Sequence, residues 1–205
     1  MVKIGIDVDG VILDYMNVVR AYAELYDYCD LHKNGIRDRE ALKVKQRYDW
    51  TPEELKYFAD KYFVELTKIT PYNPLAIEII TRLKDEGYEL YVISNRGLIH
   101  QEAGTIVKEM FEKSGLVFDK YFWETSDKTK VCLENGISII IDDSPNVCED
   151  AVKNGITALY FREKNSKKLL ETSKLYDIDN WGEAYRRIKE LTKDNGPAIC
   201  IDSIE

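Results

Sequence analysis

Asp7 and Asp9 stand two positions apart in the stretch Ile6-Asp7-Val8-Asp9-Gly10, behind the apolar Val2, Ile4 and Ile6. In an extended chain, side chains at i and i+2 leave on the same side. Two carboxylates held that way repel unless a cation lies between them or one keeps a proton. Similar groups recur further on. Ser94-Asn95-Arg96 starts where the apolar run YELYVIS ends, and Asp142-Asp143-Ser144 follows ISIII directly. Two adjacent acids behind five mainly apolar residues are costly unless they bind something. Hard oxygen donors of this kind suit Mg²⁺, which keeps several waters and accepts one or two carboxylates with a phosphate oxygen. Zinc is disfavoured, because no Cys or His adjoins these acids. A calcium loop counted from Asp7 puts Val11 at its fifth position and Val18 at its twelfth, which are not ligands. Neither GxxxxGK[ST] nor GxGxxG occurs, so neither a P-loop nor a dinucleotide fingerprint is present.

The elements that must position these residues are legible from periodicity. Val2 to Val8 reads as a strand ending in the turn Asp9-Gly10. From Leu75 onward strands and helices alternate. Strands are expected over Tyr88–Ser94, Tyr121–Glu124, Ile137–Ile141 and Thr157–Phe161. Helices are expected over Leu75–Glu86, Leu98–Lys113, Thr129–Asn135, Asn146–Asn154 and Glu183–Leu191, several of them ended by glycine. Such alternation implies a doubly wound, Rossmann-like parallel α/β sheet with helices on both faces. Sites in these folds lie at the carboxyl ends of strands, where the acids, Ser94 and Lys128 fall.

Residues 15–70 differ. Tyr22, Leu25, Tyr26 and Cys29 recur at helical spacing, a second helix is expected around Asp38–Val44, and Thr51-Pro52-Glu53-Glu54 spells a capping box with proline at the first helical position. The segment reads as an all-helical insert closed by Pro71 and Pro74.

The chain has 205 residues, 44% hydrophobic and 32% charged, enough apolar content for a globular core. Its net charge of −8 argues against a binder of duplex nucleic acid or of anionic membranes. No apolar run reaches membrane-spanning length, and no signal peptide is evident. Cys29, Cys132, Cys148 and Cys200 form no CxxC, so reduced thiols and a cytoplasmic location are expected.

Asp7-Val8-Asp9-Gly10-Val11 resembles the first motif, DxDG[VT], of the haloacid-dehalogenase (HAD)-like phosphohydrolases. Ser94 resembles their second motif, Lys128 the third-motif lysine, and Asp142-Asp143 the acidic pair of the fourth. The order agrees over almost the whole chain. DVDGVILD, Asp127-Lys128-Thr129 and the Asp142-Asp143 pair are most similar to the 5′(3′)-deoxyribonucleotidase-like branch, as is Asn180-Trp181-Gly182-Glu183. The insert between the first two motifs matches that branch poorly.

The resemblance implies a Mg²⁺-dependent phosphomonoester hydrolase acting through an aspartyl-phosphate. Asp7 would be the nucleophile and Asp9 the general acid and base. Ser94, Asn95 and Lys128 would hold the phosphoryl group. The metal would take Asp7, the backbone carbonyl of Asp9, and one or both of Asp142 and Asp143. Lys130 is the competitor for Lys128 in a shifted register, and Asp14 either reaches the site or caps the first insert helix. Arg96, His100 and Trp50 are candidate substrate contacts. The implied organisation is an HAD-like core over 1–14 and 72–194, a helical cap over 15–71, and a tail over 195–205. A nucleoside monophosphate is the expected substrate. Sugar phosphates, other small phosphorylated metabolites or a phosphomutase reaction are the alternatives, and a non-catalytic phosphate-binding module is the most remote.

Overall fold

A computed structural model describes residues 1–41, 43–97, 102–164 and 166–192. Six strands form one parallel sheet: β1 (Lys3–Ile6), β2 (Glu89–Ile93), β3 (Lys120–Phe122), β4 (Ile139–Asp142), β5 (Thr157–Phe161) and β6 (Leu175–Ile178). Their spatial order is β3-β2-β1-β4-β5-β6, so the chain reverses direction across the sheet between β1 and β4. Successive strand residues feed opposite faces. Leu90, Val92, Ile139 and Ile141 pack with helices α4 (Ala76–Asp85), α5 (Glu102–Lys113) and α8 (Trp181–Thr192). Tyr91, Ile93 and Ile140 pack with α6 (Lys128–Asn135) and α7 (Pro145–Lys153). Burial on both faces is why these strands read as unbroken apolar runs.

Residues 15–70 carry α1 (Tyr15–Cys29), α2 (Val44–Arg47) and α3 (Pro52–Ile69). They enclose a separate cluster of Val19, Ala23, Tyr26, Tyr48, Phe58 and Leu66. The capping box forms: the Glu54 N–H donates to Thr51 Oγ1 at 3.2 Å, and the Thr51 N–H donates to Glu54 Oε2 at 2.7 Å. The helix expected over Asp38–Val44 is instead a turn followed by the single turn α2. Asp38 Oδ1 accepts the Glu40 N–H at 2.9 Å, a local side-chain bond that competes with helix. The expected helix over Leu98–Lys113 is described from Glu102; residues 98–101, His100 among them, and the tail 195–205 lie outside the described residues.

Strand β6 was not expected from periodicity. Only Leu175 and Ile178 of its four residues are buried, so it lacks a period of two, and Asp177 is spent on an ion pair with Arg162 at 2.7 Å. Among the described residues no helix is long and apolar enough to cross a membrane. Cys29 is exposed, Cys132 and Cys148 are buried, and all three are free thiols.

The segment joining β1 to α1 is fixed from outside. Trp181, fully buried, donates its indole N–H to the Val11 carbonyl at 2.9 Å. Asn73 Nδ2 donates to the same carbonyl at 2.8 Å and to that of Gly10 at 3.2 Å. Trp181→Phe keeps most of the ring and removes one donor; a loss of about 1 kcal/mol in urea unfolding is expected.

Candidate active site

The register of the sheet brings the acids together. Ile6 of β1 lies opposite Ile141 of β4, so the next residues, Asp7 and Asp142, emerge side by side. The bond from the Asp7 N–H to the Ile141 carbonyl, at 2.9 Å, holds that alignment past the strand end. On the other side Ile6 pairs with Val92, which sets Ser94 level with Val8 at the same edge. Asp7, Asp142 and Asp143 each offer a carboxylate oxygen within 4.8 Å of the others.

Lys128, the first residue of α6, reaches into this cluster. Its Nζ lies 2.8 Å from Asp7 Oδ1 and 2.6 Å from Asp142 Oδ2. Burial works against its charge, but Asp7 and Asp142 outweigh it and hold the ammonium above its ordinary value. Lys130, its rival, points away to an exposed pair with Glu134 at 3.9 Å. Asp142 is 0% exposed, and its other oxygen accepts the Ser144 N–H at 2.9 Å. Asp143 accepts no hydrogen bond from a described residue, and burial, then Asp7 and Asp142, push its carboxyl well above the usual range. Burial likewise pushes Asp7 up to about 7, with Lys128 opposing and Asp142 and Asp9 adding.

The cluster fits a hard divalent cation. Three ionised carboxylates with one ammonium carry a net charge of −2, and the acids forced upward are those a cation would relieve. The Asp9 carbonyl receives no hydrogen bond from a described group and is a further oxygen donor. Gly10 is required beside it. Its φ is +78°, and a Cβ there would stand 2.4 Å from Asp143 Oδ2.

The remaining expected residues divide. Ser94 is buried, and its Oγ accepts the Arg96 N–H at 3.2 Å, which leaves the hydroxyl proton free for another acceptor. Asn95 is exposed at the same strand end. Asp9 points its carboxylate to Arg96: Nε lies 2.9 Å from Oδ2, and Nη2 lies 2.5 Å from Oδ1. Arg96, expected as a substrate contact, is thus engaged with the protein itself. Trp50 is spent within residues 15–70. Its ring stacks on Tyr48 at 4.8 Å between centroids, and its Nε1–H donates to Asp27 at 2.6 Å. Periodicity puts Trp50 among many aromatics and cannot tell packing from recognition; the contacts place it in packing. Asp14 stands at the start of α1 without capping it, and accepts from Asn17 Nδ2 at 2.9 Å instead.

Two residues at the site went unread in the sequence. Thr67 and Asn73 reach it through tertiary packing alone; only the position of Asn73 between two prolines marks it. A cleft of about 420 Å³ opens beside Gly10 and Asp143, walled by Asp14, Asn73, Arg162 and Lys164.

The fold is one of known type. No family model matches this chain. A Bacillus cereus protein named "Putative nucleotidase" is 27% identical over 190 residues, covering 86% of this chain and 97% of that protein. A predicted phosphatase from Clostridium acetobutylicum superposes with a TM-score of 0.66 at 17% identity, over 93% of this chain and 99% of that one. A magnesium-bound "putative HAD-hydrolase", YfnB of Bacillus subtilis, gives a TM-score of 0.62 at 16% identity, over 91% and 98%. The fold is therefore the HAD-like, Rossmann-type α/β fold.

Gly10→Ala forces both a strained φ and a clash with Asp143, and a loss of Mg²⁺ affinity of about tenfold or more is expected by calorimetry. A pH dependence follows as well. In the metal-free fold Asp7 holds its proton up to about pH 7, whereas in the unfolded chain it releases it near 3.8. Its contribution to stability is full below pH 3.8 and is lost as pH rises through 7. A Mg²⁺ ion held by these acids would restore what is lost and would have to displace that proton at lower pH. At a fixed Mg²⁺ concentration, a larger rise in Tm is expected at pH 8 than at pH 5.5; equal rises would show that no acid in the cluster is raised.

Proposed function

We propose that this chain is a Mg²⁺-dependent phosphomonoester hydrolase. The observation that carries the reading is the set of buried Asp7, Asp142 and Lys128 with half-buried Asp143 at the carboxyl ends of adjacent parallel strands. A cation bound there would neutralise charge on the carboxylates and the phosphoryl oxygens. Asp7 and Asp143 would be its direct side-chain ligands. Asp142, with one oxygen on Lys128 and one on the Ser144 N–H, orients the lysine.

Asp7 attacks phosphorus through its carboxylate. The ester P–O bond breaks, and the leaving oxygen takes its electron pair together with a proton from Asp9. Asp9 then removes a proton from water, which attacks the aspartyl-phosphate and returns Asp7 and inorganic phosphate. Lys128, the Ser94 hydroxyl and the Asn95 N–H hold the phosphoryl oxygens.

Residues 15–71 act as a cap over this edge. The two connecting segments run side by side: Leu13 bridges Tyr72, and the Asp14 N–H donates to the Pro71 carbonyl at 2.9 Å. One paired joint of this kind lets the insert swing as a unit.

For the substrate, the likeness to the Bacillus cereus protein supports a nucleoside monophosphate. The polar walls of the cleft, with Asn73, Arg162 and Lys164, favour a second reading, a sugar phosphate or similar hydroxyl-rich leaving group. Phosphate release from a panel of both classes separates them. Turnover is expected with Mg²⁺, is expected to vanish with EDTA, and is expected to fall by ~10³-fold or more in Asp7→Asn. Turnover that survives Asp7→Asn would remove Asp7 as nucleophile.

A further inference from the structure

Arg96 is a polar side chain at the border of the cap and the core whose three guanidinium nitrogens are all engaged. Its side chain is 3% exposed, against 31% for that of Asp9. Nε and Nη2 fork onto the Asp9 carboxylate, with Nε 3.1 Å from Oδ1 as well as 2.9 Å from Oδ2. The third nitrogen, Nη1, donates to Thr67 Oγ1 at 2.8 Å. Thr67 lies on α3, within the cap segment, is 0% exposed, and passes its own hydroxyl proton to the Phe63 carbonyl at 2.9 Å. Two further cap rings flank the guanidinium: its carbon lies 4.7 Å from the centre of Tyr15 and 5.8 Å from that of Phe63. From the core side, the Arg96 N–H is fixed on Ser94 Oγ. The guanidinium thus touches the proposed proton donor and two helices of the cap, and the backbone of the same residue is tied to the proposed phosphate-binding loop.

We propose that Arg96 is a positioning residue that makes the seating of the cap and the placement of Asp9 one event. The inference rests on the hydrolase reading above. The guanidinium is rigid, and its two faces of hydrogen bonding are fixed relative to each other. The cap can reach Nη1 through Thr67 only when α3 is seated, and the fork then sets the plane of the Asp9 carboxyl. When the ester P–O bond breaks, the leaving oxygen takes the electron pair of that bond and a proton from Asp9. Both oxygens of the forked carboxylate accept N–H bonds, so Asp9 takes the proton it gives from solvent as the leaving oxygen displaces one bond of the fork, and the remaining bond keeps the carboxyl in plane. A substrate that does not let the cap seat meets an Asp9 that is not aimed. Arg96 itself touches no reacting atom.

A leaving-group comparison tests this, because placement of a proton donor matters only where the leaving oxygen needs a proton. Phenyl phosphate leaves as a strongly basic phenoxide, and dinitrophenyl phosphate leaves as a weakly basic one. The quantity read is the ratio of their kcat/KM values with saturating Mg²⁺, because kcat/KM reports the step in which the leaving oxygen departs, whereas kcat includes the later hydrolysis common to both esters. In Arg96→Gln that ratio is expected to fall about 30-fold, within the range a general acid contributes. In Thr67→Val, which keeps shape and loses the tether, it is expected to fall about threefold to tenfold. In the Asp9→Asn background, Arg96→Gln is expected to add no further fall, as for two groups that act as a unit.

Equal losses on both esters, or a fall that repeats in full in the Asp9→Asn background, would overturn the inference and leave the hydrolase reading intact. If Arg96→Gln does not fold, as judged by circular dichroism, Thr67→Val decides: an unchanged ratio overturns the proposal. A wild-type chain that releases phosphate from neither ester nor from any nucleoside monophosphate or sugar phosphate overturns the hydrolase reading and this inference with it.

Discussion

The ammonium of Lys128 between Asp7 and Asp142 is the contact around which the carboxyl edge of the sheet is organised. Two carboxylates this close and this buried would repel each other strongly in a medium of low effective dielectric. The lysine compensates for part of that, and Asp143 leaves the remainder uncompensated by any described hydrogen bond. The edge is thus a place where folding has accumulated negative charge rather than dispersed it. Such a cluster persists because the two apolar faces beneath it, with Ile6, Val92 and Ile141 on one and Ile93 and Ile140 on the other, supply stability elsewhere. The parallel register does the aiming. Shifting β4 by one residue against β1 would send Asp142 to the other face and break the contact.

A second set of contacts joins residues 15–70 to that edge. Arg96 meets Asp9, Thr67, Tyr15 and Phe63 on one side, and Arg20 of α1 pairs with Glu163, just beyond β5, on the other. The insert itself is held by an aromatic cluster centred on Tyr26, whose ring lies 5.0 Å from Trp50 and 5.4 Å from Phe58. Its internal packing is therefore apolar, whereas these two contacts with the core are polar and charged.

Much of this was legible beforehand, and for identifiable reasons. The pairs Asp7/Asp9 and Asp142/Asp143 follow apolar runs too short for helices, so each announces a strand end carrying charge. Thr51, Pro52 and Glu54 announce α3 because capping is local chemistry. The insert reads as separate because its aromatics recur at helical spacing while the rest alternates strand and helix. Where periodicity is weak, reading failed: β6 buries only its first and last residues, and Asp38 diverted the expected helix into a side-chain turn.

The sequence by itself determined the parallel α/β architecture, the acids and the lysine at its edge, and the position of the insert, since each follows from short-range pattern. Tertiary structure decided the division of labour among those residues. It put one Asp142 oxygen on Lys128 and left Asp143 without a described donor. It took Trp50 into the packing of the insert and drew Arg96 onto Asp9 and Thr67. Those assignments depend on which side chains meet across 14, 29 or 87 positions of chain. Spacing along a sequence carries no information on that until the sheet register and the seating of the insert have fixed it.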